Sequence, residues 1–317
     1  MSRGDYSPRD YERKSIMKIN RSKVKDSLGY YAFLLPGLIA LLLFKYYPMR
    51  GLLISFQDFD IFAGIGDSPW VGLLNFHNLF TSRDFLTVFR NTLIISCLKI
   101  IILFPFGVFI ALVLNEVRSV AYKRFVQTVI YIPHFFSWVV VASLMTNFFS
   151  VSGGLVNRII ESLGGKSIGF MVSNSWFRSI LVFSAGWKES GWNAIVYIAA
   201  IAGIDQELYE AASIDGAGRV GKIVHITLPS IMPTVTLMFI LRIGSLLDAG
   251  TQQILVMYNP VVYDVADVIG TYVYRFGIGK MEYSPGAAAG LFNSVVGLIL
   301  VITANWLSRK FRGVSIW

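Results

Sequence analysis

The sequence predicts an all-α fold, a polytopic membrane bundle of six transmembrane helices with both termini cytoplasmic. Three observations predict it. Of the 317 residues, 55% are hydrophobic and only 15% are charged, where soluble domains carry about 25% charge. Six apolar runs reach the roughly 20 residues that a helix needs to cross a hydrocarbon core of about 30 Å. Lys and Arg gather in alternate connections, which orients the runs by the positive-inside rule.

Residues 1–27 form a polar, basic N-terminal tail with Arg3, Arg9, Arg13, Lys14, Lys18, Arg21, Lys23 and Lys25, placed in the cytoplasm and suited to anionic lipid. The first run, 28–47, follows too long a tail and lacks the small-residue cleavage site of a signal peptide, so it is expected to stay as a membrane helix. An outer loop, 48–90, leads to the second run, 91–116. That run holds Lys99 and the single cysteine, Cys97, which is expected to pack as a buried thiol.

Arg118, Lys123 and Arg124 mark the next cytoplasmic connection, and the third run is 128–149. Run four, 178–204, contains Lys188 and Glu189. Run five, 230–248, contains Arg242 and has Asp248 at its outer end. The long outer segment 249–286 turns at Asn259-Pro260 and then reads as an interfacial or partly inserted helix from Val261 to Phe276. Run six, 287–307, ends in a basic tail with Arg309, Lys310 and Arg312. Pro36, Pro105, Pro133 and Pro233 fall in or near these helices, where neighbours and water can satisfy the freed carbonyls. No linker divides residues 28–317, which read as a single transmembrane domain.

The net charge of +9 is accounted for by this topology, so nucleic acid is not expected as a partner. His77, His134 and His225 lie far apart, and neither H-E-x-x-H nor G-x-S-x-G occurs. No catalytic residue, metal or cofactor is therefore expected.

The cytoplasmic loop at about 205–229 carries the sharpest pattern. Glu210-Ala211-Ala212, three residues, Gly216, nine residues, then Ile226-Thr227-Leu228-Pro229 matches E-A-A-x3-G-x9-I-x-L-P at every fixed position. Small residues there allow close approach of a partner, and Gly216 can take a positive φ at a turn between two short helices. Pro229 suits the first turn of the fifth helix, where its missing N–H costs nothing. Gly216 to Lys222 also imitates a phosphate-binding G-x-x-x-x-G-K. Ile223, however, stands where a Mg²⁺-binding hydroxyl should be, and the preceding residues look helical. Nucleotide binding is not expected in this chain.

This loop resembles the EAA loop of the membrane-spanning permease subunits of binding-protein-dependent ABC importers. The short words Gly72 to Phe76 and Asn91-Thr92-Leu93 are similar to those of carbohydrate permeases of the maltose and oligosaccharide kind. The resemblance implies a type I importer fold and a sugar-transport subunit that performs no chemistry, with ATP hydrolysed by a separate ATPase subunit. Glu210, Ala211, Ala212 and Gly216 would form the coupling element seated on that ATPase. Implied partners are a second homologous permease, two ATPase subunits and an extracellular or periplasmic solute-binding protein. Implied too is a multi-pass location in the bacterial cytoplasmic membrane.

In the maltose system the sugar lies against the helices flanking the EAA loop, which gives Trp187, Lys188, Trp192 and Arg242 as substrate-path candidates. Aromatic planes suit sugar faces, and cations suit carboxylates, so the set points to a larger or acidic oligosaccharide. The competing reading is an ion-coupled secondary transporter using Lys99, Glu189 and Arg242 as relay groups.

Overall fold

A computed structural model describes residues 21–312 of the chain, with side chains from 30 to 310. Residues 1–20 of the basic tail lie outside the described range. Helix α1, Arg21–Leu41, already includes the last residues of the expected tail. The chain forms two compact units, one ending at Leu53 and the other beginning at Ile54.

From the first unit α1 runs on through a π-helical turn, Leu42–Tyr46, into the 3-10 stretch Tyr47–Phe56, whose last three residues fall in the second unit. The 27 residues Tyr30–Phe56 are long and apolar enough to cross a membrane. Aromatic side chains such as Phe33 and Phe44 lie on its surface. Where the solvent is lipid, that is the favourable arrangement.

The second unit contains α2 (Arg83–Asn115), α3 (Val120–Tyr131), α4 (Trp138–Phe148), α5 (Phe177–Ala202), α6 (Gln206–Ile214), α7 (Arg219–Gly244), α8 (Thr251–Met257) and α9 (Tyr283–Arg312). Among the described residues, α2, α7, α9 and the first-unit helix satisfy the length and composition of a membrane span. Helix α5 is 26 residues long, about 39 Å at the α-helical rise. Arg178, Lys188 and Glu189 dilute its apolar character.

The third expected run is not one helix. Val120–Phe135 and Trp138–Phe148 meet at 102°. Pro133 sits in a 3-10 turn, Ile132–Phe135, and Ser137 caps the next helix by accepting from the Val140 N–H (3.3 Å). A missing donor followed at once by a new N-cap ends one helix and starts another.

Cys97 also departs from expectation, because it is exposed. It points away from the bundle, where lipid rather than water is the expected surroundings. The apolar surroundings expected for the thiol need not be protein.

Helix α2 packs along α5, and α9 packs on α7 and on the π-helical turn Val273–Gly279. Apolar clusters hold each junction: Ile95, Phe177, Leu181 and Ile254 in one, Phe85, Ile269, Tyr272 and Ala289 in a second. Ala111, Ala194, Tyr197 and Ile231 form a third, beside α6.

Segment 249–286 does not form one interfacial helix. Asn259 makes the expected turn, accepting from the Val261 N–H (3.1 Å). The chain then folds into the short turns Pro260–Val262, Tyr263–Ala266 and Ile269–Tyr272, in which Val262, Ala266 and Ile269 are fully buried, as is Val268 just before the third. Buried irregular backbone needs partners, and α2 and α5 supply them. Asn91 Nδ2 donates to the carbonyls of Asp264 (3.0 Å) and Asp267 (3.2 Å), and Arg178 Nε donates to Val265 O (3.0 Å). Thr92 Oγ1 accepts from the Ile269 N–H at 2.9 Å. Burial pushes the Asp267 carboxyl above the usual carboxylate range, against the opposing pull of Thr271 and Arg275.

Candidate functional site

A cavity of about 400 Å³ opens where α2, α5 and α7 converge. Helical periodicity decides which side chains reach it. Helix α2 contributes Ser96, Lys99 and Leu103, helix α5 contributes Ala185, Glu189, Asn193 and Tyr197, and helix α7 contributes Met238, Leu241 and Arg242, with Ser245 just past its end. Each set recurs at three- or four-residue spacing, so each helix turns one polar-bearing stripe inward. Trp138, at the start of α4, closes part of the wall.

One rim of the cavity is the turn between α7 and α8. Helix α7 stops at Gly244, a 3-10 turn covers Leu246–Asp248, and Ala249 (φ 52°) and Gly250 (φ 82°) take left-handed conformations. Two α2 side chains fasten it. Ser96 Oγ donates to Leu246 O, and Lys99 Nζ donates to Ala249 O (2.8 Å) and Gln253 Oε1 (2.5 Å). Gln253 Nε2 in turn donates to Leu181 O and Ser184 Oγ, both at 2.8 Å. Lys99 and Gln253 are almost fully buried, and such groups are tolerated only when hydrogen-bonded.

A second polar group lies between α5 and the α3–α4 elbow. Glu189 Oε2 is 3.0 Å from His134 Nδ1, and Lys188 Nζ is 3.6 Å from Glu189 Oε1. The Lys188 ammonium also donates to the His134 carbonyl. Trp192 stacks on the His134 ring, 4.3 Å between centroids and 2° from parallel. The elbow can come this close because residue 191 is glycine: a Cβ there would lie 2.2 Å from Ile130 O.

Of the four candidates for the substrate path, Arg242 is on the cavity wall. Lys188 is buried behind the wall against Glu189. Trp187 rests near Phe136 (6.2 Å) and Trp192 on His134, and neither belongs to the wall. Lys99, Asn193 and Gln253 do belong to it. Lys99 carried a signal, a lone cation in the middle of an apolar run, whereas Gln253 carried none.

The pattern-bearing loop is far more local. Asp205 caps α6 by accepting from the Glu207 N–H (3.0 Å). At the other end Gly216 N donates to Ser213 O (3.2 Å) and Ala217 N to Ala212 O (2.8 Å), with Gly216 at φ 77°. These are the paired bonds of a Schellman stop, which requires the left-handed residue that glycine supplies. Tyr209 and Thr227 meet hydroxyl to hydroxyl (2.8 Å), and Lys222 Nζ donates to Ser213 Oγ (2.5 Å), tying α6 onto α7. The Lys222 of the P-loop-like stretch is thus occupied locally.

Glu210 and Ala211 are exposed, Ala212 is half-buried, and Ile214 and Val220 are 88% and 73% exposed. One face of the loop is anchored and the other is open. Pro229 lies in the first turn of the α-helical stretch Leu228–Gly244, as expected, but that stretch continues from earlier helical turns. The fifth helix begins at Arg219, and Pro229 follows a π-helical turn, Ile223–Thr227, inside a continuous rod. Such a turn re-registers the helix, so the missing proline N–H is absorbed there rather than at a terminus.

The sequence pattern of a family described as "Binding-protein-dependent transport system inner membrane component" matches residues 104–313. Protein LplB of Bacillus subtilis (strain 168) is 47% identical, the match covering 89% of this chain and 88% of that one. The polygalacturonan/rhamnogalacturonan transport system permease protein YteP of the same organism is 46% identical, covering 90% and 89%. Among solved structures, a bacterial ABC transporter involved in the import of the acidic polysaccharide alginate superposes with a TM-score of 0.86. It is 41% identical, covering 92% of this chain and 98% of that chain. A structure of the alginate transporter in complex with an alginate pentasaccharide-bound periplasmic protein gives 0.86 and 40%, covering 93% and 99%.

The chain belongs to the family of inner membrane components of binding-protein-dependent transport systems. It is a multi-pass helical membrane protein with the type I importer permease fold, and a transport subunit rather than an enzyme.

Proposed function

We propose that this chain is one of two permease subunits of a bacterial ATP-driven importer and forms part of the path for an acidic oligosaccharide. Residues 28–317 act as the permease domain in the cytoplasmic membrane, with both termini and the 205–229 loop on the inner side. The loop docks on an ATPase subunit through Glu210, Ala211, Ala212 and Gly216, and a loaded solute-binding protein docks outside. Closure of the ATPase pair moves the two permeases between inward- and outward-open arrangements, which ATP and the loaded binding protein both bias.

One observation carries the reading. The loop is rigid within itself and tied to α7, yet its small and apolar outer face is open, and α7 leads from it to the polar cavity. A displacement of the loop therefore has a stiff route to the cavity wall at Arg242. The acidic character of the cargo is supported by that cation, and by the alginate and polygalacturonan relatives. Trp187 and Trp192 act by supporting the elbow, and Lys188 by holding Glu189.

The test is affinity purification of the tagged chain with its co-expressed neighbours, followed by uptake of alginate pentasaccharide into vesicles. The expected result is co-purification of an ATPase and a second permease, with uptake that needs internal ATP and added binding protein. Uptake driven by an ion gradient after ATP depletion would contradict it.

A further inference from the structure

The charges around the cavity are unequally matched. Glu189 is held by His134 and Lys188. Lys99 has only neutral acceptors, Ala249 O and Gln253 Oε1, and among the described residues no carboxylate oxygen lies within 4.0 Å of it. Arg242 likewise forms no ion pair within that distance. Asp248 is exposed at the rim, where its Oδ1 is 3.4 Å from the Thr251 N–H. Two cations therefore share the wall with no carboxylate within 4.0 Å of either, although Glu189 and Asp248 line the same cavity.

We infer that Lys99, together with Arg242, forms a carboxylate-binding subsite that selects acidic over neutral saccharides. The inference rests on the saccharide reading above and assigns its selectivity to a residue that the sequence offered only as an ion relay. An ammonium has three donors. Two of those on Lys99 are committed to Ala249 and Gln253, and Gln253 is itself held by Leu181 O and Ser184 Oγ. The remaining N–H is fixed in direction before any ligand arrives, so little ordering is lost on binding. Arg242 is exposed and offers a planar fork that matches a carboxylate. The turn is built around the lysine: a Cβ on Gly250 would come within 2.6 Å of Nζ. A purely fastening role for Lys99 would affect all cargo equally, and that difference can be measured.

The full complex, with its partner permease and ATPase, would be titrated in nanodiscs with alginate pentasaccharide and with the same pentasaccharide after carboxyl reduction. Tryptophan emission gives the readout, since Trp138 is on the wall. The wild-type complex is expected to bind the acidic sugar at least about tenfold more tightly, the scale of a charge-assisted contact. Lys99→Met should remove most of that preference, the loss of affinity for the acidic sugar exceeding the loss for the reduced sugar by about tenfold. Lys99→Gln, which keeps an amide donor for Ala249 O, should do the same with the turn intact. Equal losses for both sugars, or failure of both variants to assemble, would overturn the subsite and leave Lys99 a fastening of the turn. Equal wild-type affinities would overturn the subsite alone. Binding of neither sugar would contradict the saccharide reading itself.

Discussion

The 205–229 loop and the cavity are built in opposite ways. Every hydrogen bond that shapes the loop joins residues within 18 positions of each other, from the Asp205 cap to the Tyr209–Thr227 contact. The cavity depends on partners about 70 to 154 positions apart, such as Lys99 with Gln253 and Gln253 with Leu181. The loop keeps its outer face free, whereas the buried cavity residues Lys99 and Gln253 are bonded to distant parts of the chain. A docking element can be a local motif, because its complement is on another protein. A polar cavity inside a membrane has to be assembled from the whole fold, since each buried group needs a partner there.

The largest effect is expected where the loop is stopped. Gly216→Pro imposes φ near −65° on a residue held at 77° and removes the N–H that bonds Ser213 O. Uptake should fall at least about a hundredfold, as expected when a turn cannot form. Glu210→Lys, which reverses an exposed charge without strain, should weaken uptake and ATPase association by a smaller factor. Normal uptake by both well-expressed variants would break the comparison on the loop side.

Next comes Gly191→Ala, which places a methyl group 2.2 Å from the Ile130 carbonyl. Backbone must move, at about 1–3 kcal/mol, and the Tm of the purified complex should drop by several degrees. An unchanged Tm would show that the elbow is not held against α5. Lys188→Met leaves the partly buried His134 carbonyl without its donor and should cost about 1 kcal/mol. Its effect on sugar affinity should be small, because Lys188 stands behind the wall. A large, selective loss of sugar binding with normal Tm would move Lys188 into the site.

The smallest disturbance tests sidedness. Reporter cysteines in a Cys97→Ala background at Val220 and at Phe62, 73% and 97% exposed, should label only from inside and only from outside respectively. Ser68 is a poor reporter position, being buried with its hydroxyl donating to Gly64 O at 2.6 Å. External labelling at Val220 would overturn the proposed orientation.

The same contrast explains what the residues disclosed in advance. The positive φ of Gly216 and the turn at Asn259 followed from the sequence because one or two residues decide them. Pro133 was visible as a possible break, but the 102° elbow also needed Ser137 as a cap and Gly191 on another helix to receive it. Trp192 was expected on the cavity wall from its chemistry, yet the His134 ring, 58 positions earlier, occupies its face. Proximity of that kind is not a property of either neighbourhood in the sequence. Arg242 was legible because a cation in a membrane run must face something polar. Lys99 obeyed the same rule and differed only in where its polar surroundings came from.

The separation of docking from cargo handling is tested most directly by comparing Gly216→Pro with Arg242→Gln in one assay. Each tagged variant is purified from membranes that also express the ATPase, and the ratio of ATPase to permease is measured beside uptake. Both variants should lose uptake. Gly216→Pro should retain less than about a tenth of the wild-type ratio, as loss of a docking turn implies, while Arg242→Gln should keep a ratio close to wild type. Equal ratios in the two variants, or loss of the ATPase from Arg242→Gln alone, would contradict the account.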